Sequence, residues 1–211
     1  MMLKEAVVEN FTNVPEFIAN GADRIELCDN LAVGGTTVSP GVAVITINYC
    51  HSKNVKVMSM IRPRGGNFIY SKEEIAMMKQ DLVYLKKVGT DGVVFGCLNE
   101  TGWIDEEAMI ALLDLAKGLE VTFHMAFDQI SHENQFKAID WLVKHGVSRI
   151  LTHGGPSETK IEDNLGRLKE YIDYADGRII ILPGGGITNK NLDLITSALN
   201  VREAHGTKIV G

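Results

Sequence analysis

Eight short apolar segments recur along the chain, separated by stretches with helical patterning, and this alternation limits the fold more than any other feature. The apolar segments cover residues 4–8, 24–28, 55–61, 92–96, 120–125, 149–152, 178–182 and 202–210. Amphipathic stretches at 14–20, 40–52, 71–88, 105–118, 131–146, 158–176 and 189–199 lie between them. Glycines 21, 89, 118, 146 and 177 punctuate the turns into the following segments, which is the chemistry of a helix that stops before a strand. Ser71-Lys72-Glu73-Glu74 opens the third amphipathic stretch with a capping-box pattern. Strand then helix, repeated without a linker or a shift of composition, predicts βαβ units and a parallel sheet. The expectation is an α/β chain forming a single-domain (β/α)8 TIM barrel over residues 1–211, its eighth helix short or missing. An open doubly wound sheet is the competitor, but no glycine-rich loop follows the first strand. A missing eighth helix leaves an apolar flank beside the first and last strands, which predicts a partner subunit and so a homodimer.

Charge and cysteine usage narrow the function classes. The net charge is −6 and the basic residues are scattered, which argues against a nucleic-acid surface. No run is long and apolar enough to span a membrane. The start, Met1-Met2-Leu3-Lys4-Glu5, lacks a signal-peptide pattern. Cys28, Cys50 and Cys97 are an odd, dispersed set, which predicts reduced thiols and a cytoplasmic protein.

In a TIM barrel the chemistry sits at strand C-termini and in the loops that follow them. Alternation along the strands sorts the side chains. Glu5, Val7 and Glu9 share one face, Glu26 and Cys28 another, and Met58, Met60 and Arg62 a third; the polar faces are expected to point inward. A buried carboxylate needs a partner, and Arg62 is the expected one for Glu5 or Glu26. Such pairing reads equally as a structural ion-pair network. The functional reading places Glu26, Arg62, His124 and Asp128 together at the mouth, with Glu26, His124 and Asp128 available for acid–base catalysis. Arg62 and Arg64, flanking Pro63 and followed by Gly65-Gly66, read as an anion site or as surface ion pairs. Gly184-Gly185-Gly186, before a helix opened at Thr188, offers backbone N–H groups to an anion, with His205 on the neighbouring segment. His124, His153 and His205 could also converge as a three-histidine metal site. Cys28 is a candidate soft ligand for Cu(I), helped by Met58 or Met60, or else an inert core residue.

Several of these stretches together resemble one family. Gly21 to Cys28 (GADRIELC), Gly34-Gly35-Thr36-Thr37 with Ser39-Pro40, Ile61 to Gly66 (IRPRGG), Phe123 to Asp128 (FHMAFD) and Pro183 to Ile187 (PGGGI) are similar, in order, to the signatures of the CutC family. That resemblance implies a TIM barrel, a cytoplasmic setting, self-association and a role in copper handling, with copper as the cargo and Cys28 as its ligand. The residues themselves leave open an enzyme or sensor for a small anionic or phosphorylated metabolite, and a pure scaffold. Whether the chain is an enzyme is not decided at this level.

Overall fold

The computed structural model describes residues 2–211. Strand β1 (Leu3–Glu9) leads into helix α1 (Val14–Ala19) and strand β2 (Arg24–Cys28). There follow α2 (Pro40–Ser52), β3 (Lys56–Met60), α3 (Lys72–Lys87), β4 (Gly92–Phe95), α4 (Glu106–Leu115) and β5 (Glu120–Phe123). The chain continues through α5 (Gln135–Lys144), β6 (Arg149–Thr152), α6 (Leu165–Ala175), β7 (Ile180–Pro183), α7 (Leu192–Leu199) and β8 (Glu203–Gly206). All ladders are parallel, in the order β7-β6-β5-β4-β3-β2-β1-β8. The seam between β7 and β8 carries an isolated bridge from Thr188 to Lys208 instead of a ladder, so the barrel is nearly closed. No helix follows β8 among the described residues, as expected.

Local signals account for several boundaries. Ser71 accepts from the Glu74 N–H and Glu74 accepts from the Ser71 N–H, which completes the capping box of α3. Three expectations shift. Strand β8 stops at Gly206 instead of running to residue 210. Helix α7 starts at Leu192, not near Thr188, because Asn191 Oδ1 accepts from the Thr188 N–H and hydroxyl and holds an intervening turn. The stretch 158–176 becomes a 3-10 turn, Ile161–Asn164, before α6.

Strand alternation divides the buried side chains into two layers. Ala6, Val8, Ile25, Leu27, Val57 and Phe95 face the helices and join the main core. Val7, Cys28, Met58, Met60 and Val94 form a separate cluster inside the barrel. Gly92 makes room for it: a Cβ there would collide with the end of Met58 and lie 2.7 Å from the Glu120 carbonyl oxygen. Gly92→Ala is therefore expected to lower stability by about 1–3 kcal/mol, read from a urea midpoint, because Met58 must leave its place.

At the N-terminal end of the barrel the lumen is filled by charge. Arg24, 1% exposed, holds Glu5 and Glu203; Arg149 holds Glu203 and Glu120; Lys56 also reaches Glu120. The chain of ion pairs thus runs Glu5–Arg24–Glu203–Arg149–Glu120–Lys56, across strands β1, β2, β8, β6, β5 and β3. This corrects the expected pairing: Arg24, not Arg62, is the partner of Glu5. Strand β3 ends at Met60, so by Arg62 the chain has already left the sheet.

Candidate functional site

Above the charged layer, at the C-terminal mouth, lies a cavity of about 230 Å³. Its apolar wall comes from Val7, Leu31, Met60, Phe68, Met125 and Leu151, and its polar side chains are Glu26, Arg62, His124, His205 and, at the rim, the exposed Thr207. One side is a carboxylate–imidazole pair. Register places Glu5 opposite His205, and His205 Nδ1 lies 2.8 Å from Glu5 Oε1. Its other nitrogen, Nε2, is 3.8 Å from Glu26 Oε2. Glu26 also accepts from the Cys28 thiol at 3.6 Å, while its Oε1 is buried without a partner. Glu5, Glu26 and His205 are close enough together to hold a cation.

The electrostatics follow from that geometry. Burial alone would raise the Glu5 pKa, but Arg24 and His205 together pull it down to about 2. Burial would lower His205, but the Glu26 and Glu5 carboxylates outweigh it and favour the imidazolium. Glu26 goes the other way, raised by burial and by the nearby charge of Glu5. Burial and the Glu26 carboxylate push the Cys28 thiol well up, so it rests protonated.

The opposite side is built from the loop after β3 and the turn after β5. Arg62 donates from Nη1 to the carbonyls of Val33 and Gly35 (2.8 and 3.0 Å) and from Nη2 to Gly66 (2.8 Å). Its Nε is buried and unpartnered. Phe68 packs between two polar groups, with the Arg62 guanidinium 4.9 Å from its ring centre and the His124 ring at 4.6 Å. His124 Nδ1 accepts from the Ala126 N–H at 3.2 Å, which places the ring proton on Nε2, itself buried and unpartnered. Burial and the Arg62 charge depress its pKa to about 3. His124 is thus a neutral hydrogen-bond donor. Its lone pair is already used, so of the expected acid–base role the base half is closed to it while Nε2–H stays free to donate.

The remaining candidates scatter. Asp128 accepts from Thr152 Oγ1 and from the His153 N–H, and lines a neighbouring cleft with Met125 and Gly155. Burial raises its pKa against those bonds. Arg64 turns away from the lumen onto Glu74 at 2.5 Å and the carbonyls of Gly65, Asn67 and Ile69, so it braces the loop instead of presenting an anion site. Gly184 spends its N–H on the Thr152 carbonyl. Gly185 (φ +81°) lines the cavity and Gly186 (φ +101°) completes the turn, but with α7 beginning at Leu192 no helix start faces them. His153 is bonded to the carbonyls of Gly184 and Thr159, so the three histidines do not converge on a metal. Sequence reasoning missed Phe68, an apolar loop residue with no pattern around it, and gave Met125 no role although it stands inside the FHMAFD stretch.

The CutC family model matches residues 2–210. The chain belongs to the CutC family. A CutC protein of Enterococcus faecalis is 59% identical, covering 99% of this chain and 100% of the relative. A human relative named copper homeostasis protein cutC homolog is 41% identical over 96% of this chain and 72% of its own length. The crystal structure of a CutC protein from Streptococcus agalactiae superposes with a TM-score of 0.96 at 43% identity, covering 99% of this chain and all of that one. A structure described as an aldolase matches with a TM-score of 0.71 at 15% identity, a likeness of barrel alone. The GADRIELC stretch of this CutC chain is β2 with its approach, so Arg24, Glu26 and Cys28 all project into the lumen.

Proposed function

We propose that this CutC-family chain serves copper homeostasis by binding copper(I) as cargo at the barrel mouth, with Cys28 as the ligand that defines the site. The observation that carries this reading is the pairing of soft donors from strands β2 and β3, the Cys28 thiol and the Met60 thioether packed in one cluster, beside Glu26, which accepts the thiol's hydrogen bond. Binding to a thiol releases its proton. Glu26, which already accepts the Cys28 S–H bond, stands in place to take it. Cys50 and Cys97 belong to the layer between sheet and helices, away from the lumen.

Titrating reduced protein with Cu(I) against a competing chelator tests the reading. Stoichiometric binding is expected, lost in Cys28→Ser and kept in Cys97→Ser. Equal binding by wild type and Cys28→Ser would sink it. A homodimer and a cytoplasmic setting belong to the same proposal. The three free thiols support a reducing compartment, and the exposed Leu194 on α7, beside β8, supports a partner at that flank. Among the described residues no helix is long and apolar enough to cross a membrane.

A further inference from the structure

Arg62 is 4% exposed, yet no carboxylate among the described residues pairs with it. The other two arginines facing the lumen, Arg24 and Arg149, each hold two acidic partners. Three carbonyl oxygens satisfy part of the Arg62 guanidinium and none of its charge. Tyr70 approaches it as a neutral phenol, its pKa held at about 12 by burial, and supplies no counter-charge. A buried cation without a counter-ion is costly, and an anion that enters removes the cost. On the same side of the cavity His124, also 4% exposed, offers an unpartnered Nε2–H. Across the apolar middle, Glu26 offers the unpartnered acceptor Oε1. The cavity is therefore an acceptor at one end, a cation and a neutral donor at the other, and hydrocarbon between.

We propose that this cavity binds a small organic carboxylate with an apolar body and a hydroxyl at its far end. The carboxylate supplies the counter-charge of Arg62 and accepts from His124 Nε2–H. The body lies among Phe68, Met125 and Leu151, and the hydroxyl donates to Glu26. A phosphate fits this surface poorly. Three of the guanidinium donors are already spent, and a dianion with several oxygens needs more donors than one imidazole and one half-used guanidinium provide. The volume suits a compact molecule, below the ~300–1,000 Å³ of drug-sized sites. Recognition of the charge stands on Arg62 and His124, neither of which is a donor in the copper reading, and only Glu26 is shared.

The test is calorimetric titration of the wild-type protein with para-hydroxyphenylacetate and para-hydroxybenzoate, each beside its neutral primary amide, and with inorganic phosphate. Each acid is expected to bind at least about tenfold more tightly than its amide and more tightly than phosphate, because only the acid neutralises Arg62. In nitrogen-15 spectra the His124 Nε2–H resonance is expected to move with the same saturation curve. His124→Phe keeps a ring against Phe68 and removes the donor, and is expected to weaken the acid about tenfold. Acid binding is expected to be the same with and without a Cu(I) chelator, which separates this site from the copper reading. The proposal is overturned if acid and amide bind alike, if phosphate binds more tightly than the acids, or if neither acid saturates the protein by about 10 mM.

Discussion

Arg24→Ala is expected to destabilise the barrel by about 3–5 kcal/mol, seen as a fall in the urea midpoint with little change in slope. The guanidinium lies at the start of β2, almost wholly buried, and bridges Glu5 of β1 to Glu203 of β8. Its removal leaves the fully buried Glu5 without its main counter-charge and Glu203 with Arg149 alone, and the desolvation of Glu5, more than the lost attraction, sets the size of the effect. Acid unfolding reports the same pairing. Glu5 has a folded pKa near 2 against an ordinary value of 4.5, so its contribution is fully present above about 4.5 and is lost as the pH falls toward 2. In Arg24→Ala that reserve shrinks and acid unfolding is expected to begin at higher pH. Arg24→Met combined with Glu5→Gln is expected to recover part of the loss, since no bare charge then faces the lumen at that point. A loss under about 1 kcal/mol in the single variant would mean that water reaches Glu5 and that the ring of ion pairs is not what fixes the lower barrel.

The barrel itself could be read from the chain because each strand is short and apolar, and every one but the last is followed by a helix that stops at a turn residue. Alternation correctly placed Glu26, Cys28, Met58 and Met60 in the lumen. The same arithmetic puts Arg24 two residues before Glu26, on the same face. Its role is legible once strand starts, and not only strand ends, are allowed to carry chemistry. Glu120, Arg149 and Glu203 are likewise the first residues of β5, β6 and β8. The assignment of Arg62 to Glu5 failed because alternation holds only while the chain stays in the sheet, and β3 ends two residues earlier. His124 was found, but its chemistry was inverted by a local bond: the 3-10 turn Met125–Gln129 aims the Ala126 N–H back at Nδ1. The contact between Glu5 and His205 joins residues 200 apart and exists only because β8 returns beside β1. No local pattern could show it.

His205→Ala is expected to produce a penalty that grows with pH. The imidazole lies between Glu5 and Glu26, and without it two buried carboxylates share a space served only by Arg24. The lost ring volume alone gives a penalty of a few kcal/mol that does not depend on pH. The charge component does depend on it. Burial and Glu5 already raise Glu26, so the folded state binds a proton that the unfolded chain releases, and stability falls as pH rises through that range. In wild type the His205 imidazolium offsets this. Its own raised pKa makes that help fully present below about 6.5 and lost only as pH rises through the higher folded value. The variant has no such offset, so urea unfolding at about pH 5 and about pH 7 is expected to show a larger penalty at the higher pH. His205→Gln separates the two causes. Glutamine refills much of the volume and can donate to a carboxylate, but carries no charge, so the constant part should shrink while the pH-dependent part persists. Equal penalties at both pH values in both variants would show that His205 sits between the carboxylates as a neutral ring, and that its contribution is packing.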